Sequence, residues 1–249
     1  MCIGADDPDD LDRVAGQLAR LGITSQRDRA SASVSAVEVH SGARAVIKVL
    51  PRISQDSVVN VPYNGPGRAE RENDRAPGIL RQEPNRPRKL GHVVIGTPDA
   101  ETSQRFFAAG VGFKVSDEVR GAAAFMRCST DHHNLLIQPV AFLHHTSWQV
   151  DDVDEVGRGA KRMLEGHPER HIWGLGRHFI GPNFFWYLRD PAGNFSEYFS
   201  AMDTITDDQL WKPGTWEPSL QALYVWGPDV PPSMLTPDDL AELMAGSHP

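Results

Sequence analysis

Three side chains in this sequence could share a metal ion. His92 stands in Leu90-Gly91-His92, and His145 stands in Leu143-His144-His145. When residues 90–142 and 143–200 are aligned by these openings, the two histidines coincide, and both stretches read β-α-β-β-β. Val94 and Gly96 alternate with His92, as Ser147 and Gln149 do with His145, so each imidazole projects to one side of its strand. If the two copies pack side by side, both rings face one cavity. The closing strand of the second copy carries Glu197, and the corresponding strand of the first carries Gln138. Two neutral imidazoles and one carboxylate make a facial set with coordination positions left open. Such a set suits a divalent first-row metal, Fe(II) ahead of Mn(II), with room for a substrate and dioxygen together. His144 is an alternative ligand to His145; the register favours His145, because Gly91 stands where His144 would fall.

The elements that must position these residues are legible in part. Residues 1–60 predict a small α/β unit. CIGA reads as a strand, the stripe Leu11, Val14, Leu18 and Leu21 as a helix ended by Gly22, and SVSAVEVH and RAVIKVL as two further strands. Residues 61–89 are rich in proline, glycine and arginine and read as a linker or arm. In the first copy LGHVVIG is a strand, PDAETSQRFFAAGVGF a helix and turn, and KVSDEV, AAAFMRC and HNLLIQP three strands. In the second copy LHHTSWQV is a strand and DVDEVGRGAKRMLEG a helix; strands follow around RHFIG, NFFWYLRD and FSEYF. Residues 201–249 form a tail with three tryptophans and one short helix candidate, PDDLAELMAG.

Composition narrows the function classes. The chain has 249 residues, a net charge of −8 and 40% hydrophobic residues. The negative balance gives no bulk attraction to nucleic acid, and the arginines of 68–89 are interspersed with acids. No apolar run approaches the ~20 residues of a spanning helix, and the N-terminus lacks a signal-peptide pattern. Two cysteines outside any CxxC pattern fit a reducing, cytoplasmic setting.

The stretch RHFIGPNFFWYLRDPAGNFSEYF, residues 177–199, resembles the type I extradiol ring-cleavage dioxygenases of the vicinal oxygen chelate superfamily. That family's pattern sets a histidine after an arginine, a tyrosine nine positions later and the metal glutamate ten beyond; His178, Tyr187 and Glu197 match it. The resemblance implies an α+β fold of paired β-α-β-β-β modules with a truncated N-terminal module, since full-length members have four. It implies His92, His145 and Glu197 as ligands of Fe(II). It also implies an active-site histidine in Asp131-His132-His133-Asn134, at His133 by register and at His132 as the alternative.

The implied reaction is cleavage of a catechol beside its diol with insertion of both atoms of O2, giving a ring-opened semialdehyde or dienoic acid. His133 would stabilise bound oxygen species and donate a proton, a role suited to an imidazole near neutrality. His178 would hydrogen-bond the substrate oxygen, and Tyr187 would orient the catecholate. Members that take carboxylated catechols carry pocket arginines where this chain has Phe125 and Trp173, which implies a neutral, hydrophobic or aryl-substituted catechol unless Arg120, Arg127 or a linker arginine intervenes. The rival readings are a glyoxalase-like metalloenzyme, in which Gln138 could ligate, and a non-enzymatic small-molecule binding or resistance protein. Unpaired N-terminal strand edges favour a homo-oligomer.

Overall fold

The computed structural model describes residues 1–58, 61–139 and 142–241. Its N-terminal unit runs β1 (Cys2–Ala5), α1 (Pro8–Arg20), β2 (Gln26–Asp28), β3 (Ser33–Val37) and β4 (Arg44–Val49). Helix α1 opens on a capping box: Asp7 accepts from the backbone N–H groups of Asp9 and Asp10, and Asp10 accepts from that of Asp7. Its stripe of Leu11, Val14 and Leu18 is buried in a core with Val34, Ala36, Ala45 and Ile47. Burial of each leucine contributes roughly 1.5–3 kcal/mol. The sheet order is β1-β4-β3-β2, with β1 and β4 parallel. The sequence predicts two strands after the helix, and the structure has three. Strand β2 is Gln-Arg-Asp, exposed at every residue, so it carries no apolar alternation to read.

Residues 61–89 hold one short helix, α2 (Pro77–Leu80). The segment then packs as an arm against a later helix, as described below.

The first of the two matching modules comprises β5 (Lys89–Gly96), α3 (Ala100–Arg105), β6 (Lys114–Val119), β7 (Ala123–Arg127) and β8 (Leu135–Gln138). A π-helical turn, Phe106–Val111, extends α3 and buries Phe106 and Phe107 in the same core as α1. Gly110 in that turn leaves the space that Leu18 of α1 and Leu21, just past its end, fill. The second module comprises β9 (Leu143–Gln149), α4 (Val153–Leu164), β10 (His171–His178), β11 (Phe184–Arg189) and β12 (Phe195–Ser200). Strand β10 ends at His178, so the strand expected around RHFIG lies mostly ahead of that stretch. The arm fixes α4 at its first turn. Arg81 bridges Asp152 and Glu155, Asn85 donates to Glu155, and Arg88 pairs with Asp151.

The two modules form one ten-stranded sheet with strand order β13-β6-β7-β8-β5-β9-β12-β11-β10-β14, where β13 (Gly214–Trp216) and β14 (Tyr224–Trp226) come from the tail. Each module repeats the order and the parallel first–fourth pairing of the N-terminal unit. Strands β5 and β9 pair antiparallel at the centre, with His92 opposite Ser147, Val93 opposite Thr146 and Val94 opposite His145. This register is symmetric about Val93 and Thr146, which makes His92 and His145 equivalent. The tail carries the chain from one edge of the sheet to the other through α5 (Leu220–Leu223). The edges approach each other: the ring of Phe179, just beyond β10, packs 4.9 Å from that of Trp216 in β13. The helix α6 (Pro232–Leu235) follows. Of the final helix candidate, 237–246, the second half lies outside the described residues. No helix among the described residues is long and apolar enough to cross a membrane.

Candidate metal and active site

Strand pairing sets the site out as a row. Tyr187 on β11 lies opposite Glu197 on β12, Glu197 opposite Ser147 on β9, and Ser147 opposite His92 on β5. His145 is two residues before Ser147 and so shares its face. One potential ligand atom from each of His92, His145 and Glu197 lies within 4.8 Å of the other two, and all three residues are buried. The Nε2 atoms of His92 and His145 stand 3.0 Å and 3.5 Å from Glu197 Oε2.

Two neutral side chains orient the carboxylate. Ser147 Oγ donates to Oε2 at 2.6 Å, and Asn183 Nδ2 donates to Oε1 at 3.1 Å. Burial alone would raise the Glu197 carboxyl; the imidazoles around it, His92 first and then His145 and His178, outweigh it and hold the group well below the ordinary range. Burial pushes His145 down to about 3, and it also lowers His133 and His144. Burial, then the charge of Glu197, raises Tyr187 well above 10.

The donor set fits a divalent cation. Among the described residues, buried Glu197 has no ammonium or guanidinium contact, and a buried charge needs a partner. His145 Nε2, aimed at that carboxylate, has no hydrogen-bond partner, and neither has His92 Nδ1. The far side of the His145 ring fixes its tautomer. The Met234 carbonyl, 2.9 Å from His144 Nε2, must accept that N–H. His144 Nδ1 is then left as an acceptor, 2.7 Å from His145 Nδ1, which must donate. His145 Nε2 therefore presents a lone pair toward Glu197, as a ligand atom must. His144 thus sits behind His145 and faces away from the carboxylate.

The other expected residues gather at the same place. The ring centroid of His133 is 4.4 Å from that of His92. His178 Nε2 is 2.9 Å from the Tyr187 hydroxyl and 3.6 Å from Glu197 Oε1. His178 Nδ1–H donates to the Leu223 carbonyl at 2.8 Å, which leaves Nε2 of the neutral ring as an acceptor for the Tyr187 O–H. Trp173 stacks on Tyr187 at an interplanar angle of 11°. Phe185 stacks on His178, and Phe199 packs against His92.

One expected equivalence fails. Strand β8 places Leu136 opposite Val94 and Gln138 opposite Gly96. The counterpart of Glu197 in the first module is therefore Leu136, and Gln138 lies two residues further along. Strand ends in the sequence match Gln138 with Glu197, while pairing with β5 sets the true register. The first module thus offers no amide or carboxylate at that place. Reading the sequence also missed Asn183, the carbonyls of Leu223 and Met234, and the place of His144 behind His145 rather than as an alternative ligand. Ser147 and His144 were visible beside His145 on its strand. Backbone carbonyls distant in sequence leave no signal at all.

Comparison with known proteins agrees with this geometry. Residues 89–198 match the family model described as Glyoxalase/Bleomycin resistance protein/Dioxygenase superfamily. The chain is 34% identical over 236 residues to metapyrocatechase 2 of Cupriavidus necator, covering 89% of this chain and 70% of that relative. It is 30% identical to the manganese-dependent 2,3-dihydroxybiphenyl 1,2-dioxygenase of Geobacillus genomosp. 3, covering 59% of this chain and 50% of that one. Among solved structures, homoprotocatechuate 2,3-dioxygenase of Brevibacterium fuscum, in complex with 3,4-dihydroxyphenylacetate, superposes with a TM-score of 0.72 at 19% identity, over 95% of this chain and 72% of that one. A Mn(II)-bound glyoxalase of Novosphingobium aromaticivorans gives 0.70 at 23%, over 94% and 72%. At those identities the structures speak for the fold alone. The chain belongs to the glyoxalase/bleomycin resistance protein/dioxygenase superfamily, also called vicinal oxygen chelate, and its relatives place it among the extradiol dioxygenases.

Proposed function

We propose that this chain, loaded with Fe(II) at His92, His145 and Glu197, cleaves a neutral, hydrophobic or aryl-substituted catechol beside its diol, inserting both atoms of O2 to give a ring-opened semialdehyde or dienoic acid. The observation that carries the reading is the enclosure of those three ligands beside His133, His178 and Tyr187, one set from two modules. When bound, the metal supplies open positions for both catechol oxygens and for O2, and a path for electrons between them. Mn(II) is the rival ion, as the manganese-dependent relative illustrates.

The chain's own groups orient and protonate. The His178 and Tyr187 pair stands at the carboxylate end of the row and hydrogen-bonds a catechol oxygen, with Nε2 able to hold or release a proton. His133 stands against His92 on the other side and handles the proton at the oxygen face. Trp173, Phe185 and Phe199 keep water out, which strengthens each of these contacts.

Charge supports a neutral substrate. Four arginines that could pair with a carboxylated catechol are engaged elsewhere. Arg120 binds Glu217, Arg127 binds Ser116 and Asp208, Arg81 binds Asp152 and Glu155, and Arg88 binds Asp151. Phe125 packs on His133 and Trp173 on Tyr187, where the charged substrates of other members meet arginines. The two free thiols, Cys2 and Cys128, fit the cytoplasm. The unpaired edges β1 and β2 and the exposed Val37 and Val39 fit a homo-oligomer, which light scattering of the purified protein would test.

The test is anaerobic loading with Fe(II) or Mn(II), then exposure to air with 3-phenylcatechol or 3,4-dihydroxyphenylacetate. A yellow product with one O2 consumed per ring, formed faster from the phenylcatechol, is expected. Stoichiometric metal without product from either catechol would contradict the reading.

A further inference from the structure

Behind His133 lies a second pair of groups that the proposed reaction does not yet use. His132 is fully buried, enclosed by Phe125, Trp211 and Gly181. Its Nε2 lies 3.3 Å from Asp117 Oδ2, and its Nδ1 lies 3.1 Å from His133 Nδ1. The other Asp117 oxygen, Oδ1, accepts the Gly214 N–H at 2.6 Å.

The donors and acceptors along this line admit one neutral arrangement. An ionised carboxylate only accepts, so His132 Nε2 carries the proton. His132 Nδ1 then holds a lone pair, and His133 Nδ1 must donate to it. His133 is left with a lone pair on Nε2, and Nε2 is the nitrogen free to meet a reacting oxygen. We propose that Asp117 and His132 are positioning residues that hold His133 in this Nδ1–H tautomer, so that it takes a substrate proton at Nε2 before returning one. The proposal rests on the reading of His133 as the residue that moves protons. The second module uses the same device: the Met234 carbonyl orders His144, and His144 orders His145. In both cases the tail supplies the anchor, through the Gly214 N–H in one and the Met234 carbonyl in the other.

The Gly214 contact makes the idea testable by a near-isosteric change. In Asp117→Asn the amide oxygen is needed at Gly214 N–H, which turns the NH2 toward His132 Nε2. His132 must then accept at Nε2 and donate from Nδ1. His133 Nδ1 must accept, and a proton appears on His133 Nε2, the wrong tautomer. Asp117→Ala removes the acceptor without imposing the reversal. It also loses the Gly214 contact, so a purely structural Asp117 would make alanine the worse substitution.

The experiment measures kcat and KM of Fe(II)-loaded D117N, D117A and H133F, with imidazole 15N spectra of the Zn(II)-loaded D117N and unchanged proteins. We expect D117N to keep metal content, to change KM less than about twofold, and to lower kcat at least tenfold, further than D117A. The spectra should show His133 protonated at Nδ1 in the unchanged protein and at Nε2 in D117N. Unchanged kcat in D117N, a larger loss in D117A than in D117N, or the same His133 tautomer in both proteins would overturn the proposal. If H133F loses turnover while D117N does not, only the positioning role falls. If H133F turns over normally, the reading of His133 beneath it falls as well.

Discussion

Glu197 is a buried carboxylate with no lysine or arginine side chain against it among the described residues. Its contacts are imidazoles, a hydroxyl and an amide. The same scale shows why His144 matters. It holds His145 in the tautomer that leaves Nε2 free, so His144→Phe should weaken metal binding about 10–100-fold while leaving the three ligands in place. Competition against a metal-sensitive dye checks this, and unchanged affinity would refute the tautomer argument. Acid sensitivity follows from the same rings. His145 is held at about 3 by burial, against roughly 6.5 in an unfolded chain. In metal-free protein the unfolded state therefore takes up a proton first as pH falls. The stability from this group is complete above the unfolded value and is lost as pH falls from about 6.5 toward 3, by up to about 1.4 kcal/mol per pH unit. His133 and His144 are shifted in the same direction and add to the slope. The urea midpoint of metal-free protein should fall steadily from about pH 7 to pH 5; a flat midpoint would contradict burial as the cause.

Among the elements, the central pairing of β5 with β9 matters most, because it makes one site from two strands. His92 and His145 could be read in the sequence because they recur at the same place in repeated units, and His178, Tyr187 and Glu197 because their mutual spacing matches a known pattern. The Gln138 equivalence was misread because a strand's end is soft in sequence, while its register is set by a partner strand not adjacent to it in the chain. Strand β2 was invisible because a short polar edge has no periodicity. Gly91 shows how closely the central strands are fitted. It stands where the other module has His144, and a Cβ there would lie 2.3 Å from the Phe199 ring, which itself packs on His92. Gly91→Ala should cost about 1–3 kcal/mol through overpacking and displace Phe199 against a ligand. Urea denaturation and metal titration of the variant should both report a loss, and a gain in stability would show that Phe199 can move freely.

For the whole molecule, the tail is the part that composition described least well. It reads as a tail with three tryptophans and one short helix, yet it lays strands on both edges of the ten-stranded sheet and supplies the backbone groups that order His144, His178 and, through Asp117, His132. A chain ended after Asp229 keeps β14 and loses Met234. Its metal affinity should drop as in His144→Phe, while the Leu223 contact to His178 remains. Full metal affinity in that truncated chain, measured by the same dye competition, would remove the tail from the account. The N-terminal unit, with the same strand order as the two site-bearing modules, adds core rather than ligands: its α1 packs on the π-helical turn of the first module.

The most direct test of the central claim is the fate of labelled dioxygen. Fe(II)-loaded protein is given 3-phenylcatechol under 18O2, with Glu197→Ala beside it, and the product is analysed by mass spectrometry. The account predicts a ring-opened product carrying both labelled atoms from the unchanged chain, and neither bound iron nor product from the variant. A product without label, or labelled turnover that survives the loss of Glu197, would contradict it.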